Sequence, residues 1–342
     1  MAASAGQSEG SGGESRSLSR VPLGPSGIQV SPLGLGTWAW GDRFFWGYGR
    51  TYQDGDLEGA FRRAVEAGIT FFDTAEVYGW GRSERLLQAF GRKYEVLDDL
   101  VIATKFFPYP WRLTSGSLHR ALAASLRRLG RDAVDLYYLH WPFPPRSVET
   151  WYRAMVPLLR QGKIRAAGAS NVNLAQVKRI QAVLEEAGYP LAAVQVEFNL
   201  VRREIEFNGF LEYCREQGIA VVAYSPLASG MLTGKYTPEN PPRDWRRRAY
   251  PRAFLERLQR LIRLMNEIGQ DYGGRTPAQI ALNWVMAKGA IPIPGAKNER
   301  QAQSNLGALG WSLSPEAVDA LDRASEALQL GALTLSPFPR RA

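Results

Sequence analysis

Short apolar runs alternate with longer amphipathic stretches along most of this chain, and that alternation limits the fold more than any other feature. Strands separated by helix-length crossovers cannot pair as hairpins, so they line up in parallel. Predicted strands fall at 33–36, 69–73, 100–104, 134–140, 164–170, 192–197, 220–224 and 290–293. Predicted helices fall at 56–67, 83–92, 115–129, 147–161, 173–187, 207–217, 276–287 and 298–307. Equal sets of this kind predict an α/β fold, a (β/α)8 TIM barrel. A helical insert near 251–270 and a C-terminal helix near 315–328 decorate it. Ser83, Asn173 and Thr276-Pro277 read as helix starts, and Gly68, Gly130, Gly188 and Gly218 as stops.

One domain is expected over 21–330, between a disordered segment 1–20 rich in Ser, Gly and Ala and a flexible tail 331–342. The first segment lacks the apolar stretch of a secretory signal. Glu9 and Glu14 are unusual in a transit peptide, which leaves a remnant of one as an open reading. With 45% hydrophobic and 22% charged residues, the 342-residue chain has an ordinary globular composition. No apolar run approaches the ~20 residues of a membrane helix. The single cysteine, Cys214, makes an internal disulfide impossible and reads as a packed helix residue in a reducing compartment.

The net charge of +9 raises the question of a polyanionic partner, with Arg243, Arg246, Arg247, Arg248 and Arg252 crowded together. Pro241, Pro242 and Pro251 in the same stretch point instead to a long loop with solvated charges. No nucleic-acid-binding pattern accompanies it. Gly34-Leu35-Gly36-Thr37-Trp38-Ala39 satisfies a relaxed dinucleotide fingerprint, but Gly41, Gly47 and Gly49 follow where a helix would have to start. The stretch is better read as the first barrel strand entering an aromatic-rich loop.

In such a barrel the chemistry gathers at the C-terminal ends of the strands. There the sequence places Asp73 and Tyr78, then Lys105, then His140. Together they suit a carbonyl that receives hydride, because its oxygen needs a proton donor and nearby positive or dipolar groups. Tyr78 can donate. Lys105 beside it would lower its pKa, Asp73 would hold the ammonium, and His140 would orient the carbonyl oxygen. His119, inside a predicted helix among arginines, reads as solvent-facing. Two histidines and one cysteine build no metal site, so none is expected.

The motifs Leu-Gly-Leu-Gly-Thr-Trp at 33–38, Phe-Phe-Asp-Thr-Ala-Glu-Val-Tyr-Gly at 71–79 and Ala-Thr-Lys at 103–105 resemble the aldo-keto reductase superfamily. So do Val-Asp-Leu-Tyr-Tyr-Leu-His-Trp at 134–141, Gly-Ala-Ser-Asn at 168–171 and Tyr-Ser-Pro-Leu-Ala-Ser-Gly-Met-Leu-Thr-Gly-Lys-Tyr at 224–236. Ile-Pro-Ile-Pro-Gly-Ala-Lys-Asn at 291–298 is similar to the plastid-type reductases of plants and algae.

The resemblance implies that Asp73, Tyr78, Lys105 and His140 form the family's catalytic tetrad, and that the cofactor is NADP. It implies that Ser170, Asn171 and Gln195 hold the nicotinamide carboxamide and that Tyr224 stacks on the ring. Ser225, Leu227, Ser229 and Lys235 would wrap the pyrophosphate. Gly295, Lys297, Gln301 and Asn305 would surround the 2′-phosphate and adenine. Ser304 stands where many members have a glutamate.

Trp38, Trp80, Phe106, Trp111 and Trp141, with Trp40, Phe107 and Phe198, lie at or after strand ends. They either wall a substrate pocket or pack the core. The implied activity is that of an NADP-dependent aldo-keto reductase of the alcohol dehydrogenase [NADP+] type, acting on small-molecule aldehydes or ketones. The alternative is an NADPH-binding redox-sensing or regulatory subunit with little turnover. Neither nucleic acid nor membrane is an expected partner. Monomer or homo-oligomer, and plastid or cytoplasm, stay open.

Overall fold

The computed structural model describes residues 18–326 and Leu328; residues 1–17 of the N-terminal segment and the tail 331–342 lie outside the described residues. The end of the segment expected to be disordered is tied down. Leu18 packs against the core, and the Arg20 guanidinium donates to the Thr70 hydroxyl.

A hairpin of β1 (Val21–Pro22) and β2 (Gln29–Val30) comes first. The barrel strands are β3 (Leu35–Gly36), β4 (Phe71–Asp73), β5 (Val101–Phe106), β6 (Val134–Leu139), β7 (Ile164–Ser170), β8 (Leu191–Glu197), β9 (Ala220–Tyr224) and β10 (Ala290–Pro292). They pair in parallel in chain order. The ring closes where the Gly34 N–H donates to the Pro292 carbonyl at 2.9 Å and the Gly36 N–H to Pro294 at 3.1 Å.

The helices are α1 (Asp54–Glu66), α2 (Arg82–Lys93), α3 (Ser115–Leu129), α4 (Val148–Arg160), α5 (Leu174–Glu186), α6 (Glu204–Phe207), α7 (Phe210–Glu216), α8 (Arg246–Ala249), α9 (Arg252–Asp271), α10 (Pro277–Ala287), α11 (Glu299–Leu306) and α12 (Pro315–Glu326). Asn173 and Thr276 cap α5 and α10, each in a reciprocal pair with a glutamine three residues on. Ser83 is not a cap. It lies inside α2, where its hydroxyl meets Thr37 at 2.6 Å and Thr74 at 2.8 Å. The helix expected at 207–217 is two pieces, because Gly209 turns left-handed (φ 75) between α6 and α7. His119 is half-buried and bonds the Ala154 carbonyl at 2.8 Å, joining α3 to α4 rather than facing solvent.

Strand periodicity decides what the barrel interior contains. Phe71, Ala103, Leu136, Ala193 and Val222 form an apolar inner layer together with Leu23, Ile28 and Val30 of the hairpin. The hairpin therefore plugs the barrel at the N-terminal ends of the strands. Gly24 makes the fit possible: it has φ +57, and a Cβ there would lie 2.0 Å from the Ala192 carbonyl oxygen. Two residues further along β4, β5 and β8, the inward positions belong to Asp73, Lys105 and Gln195. That places a polar layer above the apolar one.

Candidate active site

At the mouth, buried Lys105 lies on the inner face of β5 with three acceptors around its ammonium. Its Nζ is 2.5 Å from Asp73 Oδ1, 2.9 Å from the Thr74 carbonyl and 3.4 Å from the Tyr78 hydroxyl. An ammonium has three protons, and these acceptors take all of them. The second Asp73 oxygen accepts from Gln195 Nε2 at 2.7 Å, so both carboxylate oxygens are satisfied in a dry site. The Tyr78 oxygen thus accepts a hydrogen bond from Lys105, while its own O–H remains available to a neighbour.

Electrostatically the site holds neutral Tyr78 and His140. Burial, then Asp73 and Tyr224, push the Tyr78 phenol well above its ordinary range. The lysine does not lower it as the sequence suggested, because Asp73 at 2.5 Å offsets the ammonium's charge and burial wins. Burial, then Lys105, holds His140 well below the usual histidine range. Its Nδ1 is buried without a hydrogen-bond partner among the described residues. The imidazole packs edge-on to Tyr78, with centroids 5.8 Å apart.

Ser170 ends β7 beside these residues and Asn171 follows it. Asn171, left-handed at φ 57, donates to the His140 carbonyl and to Ser170 Oγ, both at 3.0 Å, and accepts from the Tyr224 hydroxyl at 2.9 Å. With Gln195 bound to Asp73, the predicted carboxamide set and the predicted tetrad form one hydrogen-bonded cluster.

Ser225, Ala228 and Ser229 are all left-handed in the loop after β9, which also carries Leu227 and Lys235. Beside it, after the neighbouring strand β10, Gln301 Oε1 accepts from the Lys297 N–H at 2.9 Å, and Asn305 Nδ2 donates to the Gly295 carbonyl at 3.4 Å. Lys297 Nζ reaches the Trp46 carbonyl at 3.1 Å.

The sequence missed Arg246. Arg243, Arg247, Arg248 and Arg252 are exposed as expected, but the Arg246 side chain is only 11% exposed. It donates to the Ser229 carbonyl at 3.0 Å and stacks over Trp46, 5.5 Å from the ring centroid. Nothing in its local sequence separates it from its neighbours. Trp46 Nε1 is buried without a hydrogen-bond partner among the described residues.

The aromatic candidates divide. Trp38 stands 6.5 Å from Tyr78, and Trp141 stacks on Phe143 at 5.3 Å. Trp80 and Trp111 are 76% and 72% exposed at the rim. Phe106 does not wall the mouth. β5 runs two residues further than predicted, so with Lys105 inward Phe106 turns outward onto Trp151, 4.8 Å away. Phe107 takes the place beside His140, at 5.6 Å. Trp40 packs on Phe90 and Phe198 on Trp284, and both are core.

Gly79, Trp80 and Gly81 are consecutive left-handed residues, with φ 53, 56 and 78. A Cβ on Gly79 would lie 2.8 Å from the Gly41 backbone and one on Gly81 2.6 Å from the Arg128 side chain, so only position 80 has room for a side chain. Left-handed backbone costs an L-residue roughly 1–2 kcal/mol. Trp80→Gly is therefore expected to stabilise the fold by about 0.5–1 kcal/mol, after the entropy that glycine adds to the unfolded chain. The urea midpoint reads this. A lower midpoint would mean that the Trp80 ring packs more than its exposure indicates.

An inward Asp-Lys pair touching a tyrosine thus stands at the mouth of a parallel (β/α)8 barrel. Residues 32–326 match the aldo/keto reductase family. The chain belongs to that family and is an oxidoreductase. It is 41% identical over 318 residues to a protein named pyridoxal reductase, chloroplastic, of Arabidopsis thaliana, covering 90% of this chain and 86% of that one. It is 33% identical to aldo-keto reductase yakc [NADP(+)] of Schizosaccharomyces pombe, with 82% and 85% covered. Among solved structures, the thermostable aldo-keto reductase Tm1743, in complex with the inhibitor epalrestat, is 31% identical with TM-score 0.74, covering 90% of this chain and 100% of that one. A glycerol dehydrogenase of Gluconobacter oxydans is 26% identical with TM-score 0.76, covering 93% and 97%. Among the described residues no helix is long and apolar enough to cross a membrane.

Proposed function

We propose that this oxidoreductase reduces aldehydes or ketones to alcohols with NADPH, with Tyr78 as the proton donor. The observation that carries the reading is the proton count at Lys105. Asp73, Thr74 and Tyr78 accept all three ammonium protons, so the Tyr78 O–H is aimed elsewhere and can donate to a carbonyl oxygen.

The residues present fit an anionic dinucleotide. Lys297, Arg246 and Lys235 converge, and burial, then Arg246 and Lys235, push Lys297 down to about 8. Crowded, partly desolvated cations of this kind are stabilised by a phosphate. Lys297 and Arg246 would hold the 2′-phosphate, Ser225, Leu227, Ser229 and Lys235 the pyrophosphate, and Gly295, Gln301 and Asn305 the adenosine. Ser170, Asn171, Gln195 and Tyr224 would hold the nicotinamide. When bound, NADPH supplies the hydride that the carbonyl carbon accepts.

The protein's own residues do the rest. Tyr78 passes its proton to the substrate oxygen, Lys105 stabilises the phenolate this creates, and Asp73 keeps Lys105 in place. Neutral His140 orients the carbonyl. Trp38, Phe107 and Trp141 give that carbonyl's substituent an apolar wall. The relative named pyridoxal reductase makes pyridoxal a substrate to try, and its chloroplastic designation favours plastid over cytoplasm.

The test is NADPH oxidation with 4-nitrobenzaldehyde, methylglyoxal and pyridoxal. Saturable turnover of at least one is expected. Tight NADPH binding without turnover of any carbonyl would overturn the reading in favour of a regulatory binding protein.

A further inference from the structure

Two residues before Tyr78, Glu76 has a nearly buried side chain, 8% exposed; its backbone N–H donates to the Lys105 carbonyl at 3.5 Å, while its carboxylate bonds outside the lysine cluster. Its Oε1 accepts from the Phe107 N–H at 2.7 Å and from Arg112 Nη1 at 2.5 Å, and its Oε2 accepts from Arg112 Nη2 at 3.1 Å. Arg112 Nη1 also donates to the Phe107 carbonyl at 2.9 Å. One ion pair therefore fastens the segment that carries Tyr78 to both backbone groups of Phe107. The loop it fastens is a run of rings.

Phe107 lies edge-on to His140 at 5.6 Å and 4.6 Å from Tyr109. Tyr109 stacks on Trp111 at 4.7 Å with 6° between the planes, and Trp111 is open to solvent. The Arg112 guanidinium lies over Tyr109, 5.2 Å from its centroid. Rings thus lead from the imidazole to the surface. The clasp at their base spends its cation on its own carboxylate and offers no charge to an incoming anion.

We infer that Glu76, through Arg112, is a positioning residue that sets specificity for flat, uncharged ring carbonyl compounds by holding the Phe107–Trp111 wall against His140. The inference rests on the reductase reading and deepens it. A planar substituent gains by lying along a fixed wall of aromatic faces. A two- or three-carbon carbonyl compound is too small to reach it. If the ion pair served only to stabilise the fold, loosening it would affect both kinds of substrate alike.

The experiment compares kcat and KM for 4-nitrobenzaldehyde and methylglyoxal in the full chain, Glu76→Gln, Arg112→Met and the double variant. Glu76→Gln is expected to lower kcat/KM for 4-nitrobenzaldehyde about tenfold through KM, while methylglyoxal stays within about twofold. The double variant is expected to lose no more than either single variant, because the pair acts as a unit. Equal losses with both aldehydes, or none with either, would overturn the inference. Should Glu76→Gln fail to fold, Arg112→Met, at a position more exposed than Glu76, makes the same comparison.

If the parent chain turns over neither aldehyde nor pyridoxal, the reductase reading fails; whenever neither of the two aldehydes is turned over, calorimetric titration with 4-nitrobenzaldehyde reads the wall directly. Saturable binding that weakens about tenfold in Arg112→Met would support the inference. Absence of binding in the parent chain, or equal binding in the variant, would sink it.

Discussion

Tyr78→Phe is expected to lower kcat for 4-nitrobenzaldehyde by roughly 10²- to 10⁴-fold, the contribution of one positioned general acid. The KM for NADPH should stay within about threefold. The substitution keeps the ring that packs against Trp38 and His140 and removes only the oxygen 3.4 Å from Lys105. One ammonium proton then lacks an acceptor, which costs about 1–3 kcal/mol of stability and leaves the chain folded.

The same geometry fixes the pH profile at saturating cofactor. Tyr78 must be protonated to act, and its pKa is raised by burial, so the active form persists as pH rises. His140 must be neutral, and its pKa is lowered by burial, so the neutral form persists as pH falls. A flat kcat between about pH 6 and 9 follows. A limb with a midpoint near 7 would show a protonating histidine in the rate and would refute this electrostatic reading. Equal rates for Tyr78→Phe and its parent would remove Tyr78 as the acid.

How much of this was legible in the sequence depended on whether the signal was periodic. Asp73 and Lys105 each end an apolar run whose alternate residues face the barrel axis, so their inward aim follows from Phe71 and Ala103. Phe106 was misread for the same reason. Once β5 is seen to continue past Lys105, the next residue must turn out to the helices.

The hairpin at the barrel floor was invisible because two-residue strands carry no pattern. What marks that segment is Gly24, and the carbonyl that demands it belongs to Ala192 in a distant strand. Arg246 escaped because burial within an arginine run is decided by what lies across the mouth. Trp245 Nε1 donates to the Phe45 carbonyl at 3.2 Å, which pins the loop so that Arg246 faces Trp46 while its neighbours face water. Nothing in the sequence singles out Glu76, because the Arg112 that pairs with it lies 36 residues away.

Lys297→Met should weaken NADPH binding about 10- to 100-fold at pH 7, corresponding to one charge-assisted contact of about 1.5–3 kcal/mol. NADH binding should change little, since the 2′-phosphate is the group assigned to Lys297. The preference for NADPH would then shrink by nearly the whole factor.

Because burial, then Arg246 and Lys235, push the Lys297 ammonium down to about 8, part of its charge is lost within an accessible pH range. A dianionic phosphate favours the charged amine and raises its pKa on binding. NADPH affinity is therefore greatest below pH 8 and falls as pH rises through that value, by up to about tenfold per unit until the bound-state pKa is reached. The phosphate does not complicate the profile, since its own second ionisation is near 6. In Lys297→Met that limb should vanish. A pH limb near 8 that survives the substitution, or equal weakening for NADH and NADPH, would move the 2′-phosphate away from Lys297 and leave Arg246 and Lys235 to be tested as its anchor.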